Sequence, residues 1–552
     1  MKKENIVKYI LMSVILVIIL RLFQFQVLER ETLSKQALYN YLKEYKIRAP
    51  RGRIKDRNGI LLADWVPSFR VLVIPNFLSE QDIPILSQMF GPLEIRFDTL
   101  KKKGTFVEIK KGLFFSDVVK IMEKNPGIKG MIIDADPQRI YTDDARYAAH
   151  IIGYVGEASS EEINKFNLDF GDFIGKNGVE KTYDSLLRGK DGYKFIAFDS
   201  RGNIVDANPA PPIEPQPGKE LNLTIDIRLQ KLADSLFQPY PRGAAFAFNI
   251  KTGEVLLLYS KPYYDPGDIL KNWKTYISNP EKPLLNRCIQ GLYPPGSTFK
   301  LITTLVGLYT KVLETTTRIY CSGGFSFGKR TWLCWRTEGH GTLDLEDAIA
   351  QSCNVYFNTV GARVGTQAFM EALEKFQLPL KSNINLPGEY NVTIPLKSLL
   401  KGRLILPSSV INWSIGQGEI QVTPLWLAIV TGLIANDGVC PIPRLSLKEP
   451  LQFLSINVPQ EYYPIVKEGM RLVVENPMGT AAYLYDPGLK VAGKTGTAQN
   501  PHGKEHSWFT CFFPHDNPEY VITVIVENAG HGSEAAAPIS FKIARSIVNA
   551  RK

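Results

Sequence analysis

Three short groups of residues in this sequence could together carry out acyl transfer. Ser297 precedes Lys300 by three positions, directly after a Pro-Pro-Gly turn. Ser352 and Asn354 follow within Ser-Cys-Asn, and Lys494 opens the later run Lys-Thr-Gly-Thr. A serine hydroxyl is a weak nucleophile unless a neighbouring base takes its proton. The order of these groups predicts a serine acyl-transferase whose base is a lysine rather than a histidine.

The first two groups supply the nucleophile and the proton transfers. Ser297 is the predicted nucleophile, at the start of an apolar helix that carries Lys300 on the same face. Lysine accepts a proton only as the neutral amine, which requires burial or a neighbouring cation such as Lys494. Ser352 is predicted to relay a proton to the leaving amine, and Asn354 to hold the substrate amide.

The third group is expected to be a β-strand that aligns the substrate along its edge. Thr495, Gly496 and Thr497 are the predicted substrate-binding residues, and Lys494 would face the substrate carboxylate. The backbone N–H groups of Ser297 and Thr497 are expected to form the oxyanion hole. Each motif alone recurs by chance, as does a second Lys-Thr-Gly run at 251–253 that is expected to be a hairpin turn. The joint order is what carries the prediction.

A second set of residues could bind a metal ion. Cys321, Cys334, His340 and Cys353 cluster in the sequence between the first and second groups. Three thiolates and one imidazole are a suitable tetrahedral set for zinc. From the residues alone, a Cys321–Cys334 disulfide in an oxidising compartment is favoured over zinc, and buried free thiols are a third alternative.

The N-terminus carries one apolar run, residues 6–28, which is long enough to cross a bilayer once. Lys2, Lys3 and Lys8 favour a cytoplasmic N-terminus. A small-residue cleavage site does not follow the run, which favours an uncleaved anchor over a signal peptide. We therefore expect a single-pass protein whose bulk lies outside the cytoplasm.

The 552 residues are enough for two or three units with their own cores. The net charge of +10 is spread along the chain, which fits a surface near anionic lipid better than a nucleic-acid partner. The proline-rich segment 208–220 is predicted to be a stiff connector. The predicted divisions are 1–30 (cytoplasmic stub and anchor), 31–207 (non-catalytic), 208–220 (connector) and 221–552 (catalytic).

The catalytic part is predicted to be α+β. Two β-like runs flank the Lys-Thr-Gly turn at 251–253, and three more follow from 491 to 527. An amphipathic helix closes the chain. This pattern predicts an antiparallel sheet flanked by helices.

The S-x-x-K, S-x-N and K-T-G set resembles penicillin-binding proteins and serine β-lactamases. The flanking segments resemble class B penicillin-binding proteins; they are 48–63, 150–159, 175–189, 414–428 and 506–514. The resemblance runs from the anchor to the last helix and is closest to penicillin-binding protein 2, the elongation transpeptidase of rod-shaped bacteria. It implies a transmembrane helix, an elongated pedestal (dimerisation) domain and a transpeptidase domain. A glycosyltransferase signature is not evident in the N-terminal half, which argues against the bifunctional class A.

The resemblance implies a D,D-transpeptidase that belongs to the serine-type D-Ala-D-Ala carboxypeptidase class and is covalently inhibited by β-lactams. Ser297 would attack the penultimate D-Ala of a peptidoglycan stem peptide on lipid II-derived strands, and an amine of a second stem would resolve the acyl-enzyme. The implied partners are a SEDS-family polytopic glycosyltransferase and elongation-complex proteins. The implied location is the inner membrane, with the catalytic domain in the periplasm.

The resemblance also bears on the metal. This region resembles that of enterobacterial penicillin-binding protein 2 enzymes, which carry zinc between the first and second motifs. Their ligands include a histidine in a Gly-His-Gly context and a cysteine inside the second motif. His340 and Cys353 stand in those contexts. Cys321 and Cys334 stand where the family has aspartates, a replacement that zinc tolerates. Structural zinc is therefore implied at these four residues.

Three alternatives stay open at this stage. The enzyme could be a septal class B transpeptidase instead of an elongation enzyme. A membrane-anchored β-lactamase is disfavoured because no E-x-x-L-N glutamate is evident between the second and third motifs. A β-lactam sensor or an inactive scaffold is disfavoured by the single span and by the three intact motifs.

Overall fold

The first described element is the helix Lys3–Phe23, which continues as the π-helical turn Gln24–Leu28. The computed structural model describes residues 3–31, 33, 42–90, 106–124, 127–198, 204–206, 211–501 and 503–550. The stretch Lys8–Leu28 has a mean hydropathy of 2.3, and its apolar side chains are not buried against the rest of the described protein. Within those residues it is the one helix long and apolar enough to cross a membrane, at the position predicted for the anchor.

Contacts divide the chain into two compact units. The first comprises Met1–Gly52, Trp65–Ile140 and Ser185–Lys219, and the second comprises Arg53–Asp64, Tyr141–Asp184 and Glu220–Lys552. Two segments of the predicted 31–207 region, Arg53–Asp64 and Tyr141–Asp184, lie in the second unit. Residues 208–210 of the predicted connector lie outside the described residues.

Long-range pairing explains why part of the N-terminal half belongs to the second unit. The short strand Ile54–Lys55 pairs in parallel with Leu221–Asn222. The Asp56 carboxylate accepts a hydrogen bond from the Ile227 backbone N–H at 3.2 Å. These bonds join residues more than 160 positions apart, so no local sequence pattern could have indicated them.

The first unit contains two three-stranded antiparallel sheets. The strands of one are Leu42–Ile47, Gly192–Phe198 and Ile204–Asp206, and those of the other are Val107–Leu113, Phe69–Val73 and Met131–Ala135. The helices Asp82–Phe90 and Phe115–Lys124 accompany them. Val71, Leu113, Val118 and Ile121 form one of the buried apolar clusters. Strands Leu61–Val66 and Gln138–Tyr141 include residues of both units.

The second unit is built on a five-stranded antiparallel sheet. Its strands, in spatial order, are Val255–Lys261, Gly243–Asn249, Tyr520–Val526, His506–Phe513 and Ala492–Ala498. The strands are almost fully buried, as their apolar runs lead one to expect. The predicted turn at 251–253 joins the first two strands through Gly253, whose φ is +73°.

Helices cover both faces of this sheet. The closing helix Ala536–Asn549 packs Phe541 against Phe509, with ring centroids 5.9 Å apart. The next residue along that strand, Thr510, bonds Thr431 of the helix Pro424–Ala435 at 2.7 Å. Successive side chains of a strand point to opposite faces, so the two helices lie on opposite sides. The predicted α+β architecture is confirmed.

The remaining elements of the second unit are short or peripheral to the sheet. Its other α-helices of five or more residues are Ser160–Phe166, Gly178–Thr182, Ile227–Leu236, Trp273–Ser278, Lys300–Tyr309, Leu345–Ala350, Asn354–Phe376, Ser409–Trp413 and Tyr462–Glu475, and Asp143–Ala148 is a 3-10 helix. Its two-stranded sheets pair Val155–Glu157 with Phe173–Gly175, Ile319–Cys321 with Gly341–Leu343, Gly324–Phe327 with Arg330–Leu333, and Val439–Pro441 with Phe453–Ser455.

Candidate active site

Ser297 lies in a single 3-10 turn, Gly296–Phe299, that runs directly into the helix Lys300–Tyr309. Gly296 has a φ of +55°, and a Cβ there would lie 2.4 Å from the carbonyl oxygen of Thr497. The Gly296 N–H donates to the carbonyl of Gly416 at 2.9 Å, and a Cβ on Gly416 would lie 2.1 Å from the Gly296 oxygen. Two glycines therefore let three segments meet at the serine.

Lys300 is fully buried, and its ammonium faces the second motif. Its Nζ lies 2.7 Å from Asn354 Oδ1, 2.8 Å from the carbonyl oxygen of Ser352 and 3.3 Å from Ser352 Oγ. The structure thus brings these three predicted residues together. In the described part of the chain, the Ser297 hydroxyl has no hydrogen-bond partner. Lys300 is hydrogen-bonded to Ser352, the predicted relay, rather than to Ser297, the predicted nucleophile.

Burial of the Lys300 amine lowers its pKa to about 8, an effect that the nearby Cys353 and Cys334 thiols partly oppose. An amine with this pKa is neutral in about a tenth of the molecules at pH 7, far more than an ordinary lysine, and a base must be in this form. The centroid of the buried Phe357 ring lies 5.5 Å from Nζ. The lysine is thus tuned for proton transfer mainly by loss of water.

Ser352 adopts a left-handed backbone conformation, with a φ of +54°, although it is not glycine. Such a conformation costs on the order of 1–3 kcal/mol and is typical of functional sites. It turns the chain between the helices Leu345–Ala350 and Asn354–Phe376, so that both the carbonyl and the hydroxyl of Ser352 face Lys300. Cys353 caps the second of these helices by accepting from the Tyr356 N–H at 3.4 Å.

The Lys-Thr-Gly group lies in Ala492–Ala498, the strand at one edge of the sheet. Lys494 is fully buried and donates to the Thr495 carbonyl at 3.0 Å. Burial first, and then the positive charge of Lys300, hold its pKa well below the usual range. Gly496 pairs with Trp508 on the neighbouring strand. An edge strand can accept an extended peptide by β-addition, as predicted for this group.

The structure adds three residues to the site that the motifs did not indicate. The Thr480 and Thr495 hydroxyls lie 2.7 Å apart, and His531 Nδ1 lies 3.5 Å from Thr497 Oγ1. The Trp335 indole N–H donates to the Gln351 carbonyl at 3.0 Å, next to Ser352. None of the three stands at a fixed spacing from a motif, so the sequence offered no signal for them.

The four residues proposed as metal ligands converge in the structure. One ligand atom from each of Cys321, Cys334, His340 and Cys353 lies within 4.8 Å of the other three. His340 Nδ1 lies 3.5 Å from both the Cys321 and the Cys334 sulfur. Tetrahedral zinc, with Zn–S of about 2.3 Å and Zn–N of about 2.0 Å, sets such atoms roughly 3.5–3.8 Å apart. The residues therefore fit zinc.

The sulfur chemistry of this cluster also suits a cation. All six cysteines are free and buried, including Cys321 and Cys334. A hydrogen bond from Cys353 holds the pKa of the Cys334 thiol well below its usual range, and the same contact raises the pKa of Cys353. Thiolate is the form that binds metal, so one ligand already favours it.

Comparison with known proteins identifies the family to which the chain belongs. Residues 46–223 match the penicillin-binding protein dimerisation domain, and residues 243–548 match the penicillin-binding protein transpeptidase domain. The peptidoglycan D,D-transpeptidase MrdA of Acinetobacter baumannii is 31% identical over 570 residues, covering 95% of this chain and 84% of that protein. MrdA of Escherichia coli K12 is 26% identical, covering 94% and 89%.

Solved structures agree with these relatives. The complex between penicillin-binding protein 2 (PBP2) and MreC from Helicobacter pylori has a TM-score of 0.81 at 27% identity, covering 92% of this chain and 99% of that one. PBP2 of Pseudomonas aeruginosa in complex with WCK 5153 gives 0.68 at 28% identity, covering 91% and 96%. The chain therefore belongs to the penicillin-binding proteins and, within them, to the class B enzymes of the PBP2 type.

Proposed function

We propose that this protein is a peptidoglycan D,D-transpeptidase of cell elongation, with Ser297 as the acylated residue. The observation that carries the proposal is the buried contact of Lys300 with both Ser352 and Asn354, beside the edge strand Ala492–Ala498. Its relatives of 26–31% identity are called peptidoglycan D,D-transpeptidases. The donor substrate is a stem peptide on nascent, lipid II-derived strands.

Acylation starts with transfer of the Ser297 proton to the neutral amine of Lys300. The serine oxygen attacks the carbonyl carbon of the penultimate D-Ala. The N–H groups of Ser297 and Thr497 stabilise the oxyanion, and the edge strand holds the donor peptide. The carbon–nitrogen bond then breaks, and Ser352 passes the proton from Lys300 to the departing D-Ala amine.

Deacylation reverses these steps with a different amine. An amine of a second stem peptide attacks the ester and loses its proton through Ser352 to Lys300, and Ser297 recovers its proton as the cross-link forms. Lys494 is placed to donate to the donor carboxylate, whose negative charge would favour the protonated form of a lysine that burial otherwise holds at a lowered pKa. It does not act as the base. β-Lactams acylate the same serine, and their ring-opened ester persists.

The proposed activity can be tested with purified full-length protein and glycan strands made from lipid II. We expect digestion of the product to release cross-linked dimer muropeptides, and we expect benzylpenicillin to abolish them. Labelled penicillin should stay attached for many times the acylation half-time. Rapid loss of the label without dimer formation would instead show a β-lactamase.

The proposal includes location and partners. Lys8–Leu28 is the single-pass anchor in the inner membrane, and the catalytic unit lies in the periplasm. Arg21 donates to Gln24 at 2.8 Å, which places polar groups near one end of the span. A SEDS-family glycosyltransferase is the proposed partner. Elongation-complex proteins are proposed as further partners. Two matching structures support partners of these kinds, since one solved PBP2 is in complex with MreC and another is of a peptidoglycan synthase complex that coordinates polymerization and crosslinking.

Zinc is proposed as a structural ion held by Cys321, Cys334, His340 and Cys353. When bound, it would join two short two-stranded sheets to the second motif through Cys353 and take no part in acyl transfer. Because Cys353 adjoins both Ser352 and Asn354, the ion would restrain their backbone. This structural role differs from a redox role, in which two of the thiols would form a disulfide.

We expect purified protein to contain one zinc per chain by elemental analysis. His340→Ala should lose most of this zinc and unfold at a lower temperature, because three buried thiols lose a shared partner. Cys511→Ser is the matched control, since Cys511 is a buried free cysteine outside the cluster. Metal-free wild type with a Cys321–Cys334 disulfide would contradict the proposal.

A further inference from the structure

Trp335 is the side chain that joins the candidate metal cluster to the second motif. It follows Cys334, and its ring stands edge-on to His340 with centroids 5.3 Å apart. Its indole N–H donates to the carbonyl of Gln351 at 3.0 Å, the residue directly before Ser352. The residue is 54% exposed, so burial does not explain why a tryptophan stands here.

The Gln351 carbonyl belongs to the peptide unit that orients Ser352. A peptide unit is planar, so the Gln351 oxygen and the Ser352 N–H share one rigid plane. Trp335 holds the oxygen, and the Ser352 N–H donates to the Ile349 carbonyl at 3.2 Å. Both ends of this plane are bonded, and the Ser352–Cys353 plane is held by the Cys353 N–H, which donates to the Ala348 carbonyl at 3.1 Å, and by Lys300. Together the two planes hold the left-handed conformation of Ser352, with its oxygens directed at Lys300.

The same segment also contacts the other end of the motif. The Asn354 side-chain amide donates to the Leu333 carbonyl at 3.3 Å. Leu333 and Trp335 are exposed while Trp332 and Cys334 are buried, the alternation of an extended chain. Residues 333–335 therefore hold the second motif on both sides of Cys353.

We propose that Trp335 is a positioning residue for acyl transfer. Its indole N–H holds the Gln351–Ser352 peptide so that the Ser352 hydroxyl remains within reach of Lys300 Nζ. This inference rests on the proposed function, because it assigns Trp335 an effect on the acylation step. The role requires the N–H group and not merely an aromatic ring.

The test compares Trp335→Phe with Trp332→Phe, its matched control in the same hairpin. The control also loses one indole N–H, which donates to Asn412 Oδ1 at 2.9 Å, but from a buried ring. Acylation of full-length protein by fluorescent penicillin is followed against concentration to separate the dissociation constant from the acylation rate constant. Melting temperature and zinc content are measured on the same samples.

We expect Trp335→Phe to lower the acylation rate constant about 5-fold, the equivalent of one neutral hydrogen bond. Its penicillin dissociation constant, melting temperature and zinc content should match the wild type. Trp332→Phe should show the reverse, with a lower melting temperature and an unchanged rate constant. The inference would be overturned if the acylation rate constant of Trp335→Phe were unchanged, or if only its penicillin dissociation constant increased. It would also be overturned if its melting temperature fell as much as that of the control. Wild type that is not acylated would overturn the proposed function itself.

Discussion

Replacing Ser297 with alanine is expected to abolish covalent labelling by penicillin while leaving the protein folded. Acylation requires the oxygen that this change removes, and loss of a nucleophile lowers serine acyl-transfer rates by about 10⁶-fold. The stability cost should be small. The hydroxyl is only partly buried and has no hydrogen-bond partner among the described residues, so no donor or acceptor is left unpaired.

Labelling on denaturing gels and thermal unfolding together check this expectation. Ser235→Ala is a suitable control, since Ser235 is exposed and bonds only the Leu232 carbonyl of its own helix. The control should label like the wild type. Labelling of Ser297→Ala at more than a trace would mean that another residue is acylated and would remove the assignment.

Replacing Lys300 with methionine should lower the acylation rate constant by about 10²–10⁴-fold, the usual contribution of a positioned base. Methionine preserves an unbranched side chain in the buried position. It leaves the Ser352 carbonyl and Asn354 Oδ1 without their donor, so we also expect a stability loss of about 1–3 kcal/mol. Lys251→Met, at an exposed lysine in the other Lys-Thr-Gly run, is the matched control.

The pH dependence of the acylation rate constant distinguishes loss of the base from damage to the fold. The Lys300 pKa is lowered to about 8, and only the neutral amine accepts the serine proton. Wild-type acylation should therefore rise with pH and level off above about 8, falling tenfold for each unit well below it. The residual acylation of Lys300→Met should lack this rise. An identical profile in the variant would assign the titration to another group.

The proposed catalytic residues could be recognised in the sequence because the chemistry requires particular residue types in order. Lys300, Ser352, Asn354 and Lys494 were all recognisable from short motifs, and the structure brings the first three into contact. The buried strands of the catalytic unit were equally evident, since short apolar runs bounded by turn residues are typical of buried β-strands. The proposed metal ligands were recognisable as residue types, although their convergence within 4.8 Å was not.

Other features depend on contacts between distant segments and were not predictable. The left-handed conformation of Ser352 arises from bonds with Lys300, Ile349 and, through Gln351, Trp335. The division of the chain into units follows from pairing such as that of Ile54 with Leu221. Local periodicity carries no information about either. Even the direction of Lys300, toward Ser352 and not Ser297, is a tertiary result.

The helix Ala536–Asn549 has a genetic consequence. It contains none of the acyl-transfer residues, yet it covers the sheet face that presents Phe509, one strand away from Lys494. A stop codon just before this helix would spare every catalytic codon and still expose a broad apolar face to solvent. Such an allele should behave as a null allele. A fusion to the C-terminus would need a linker that allows this helix to remain packed against the sheet.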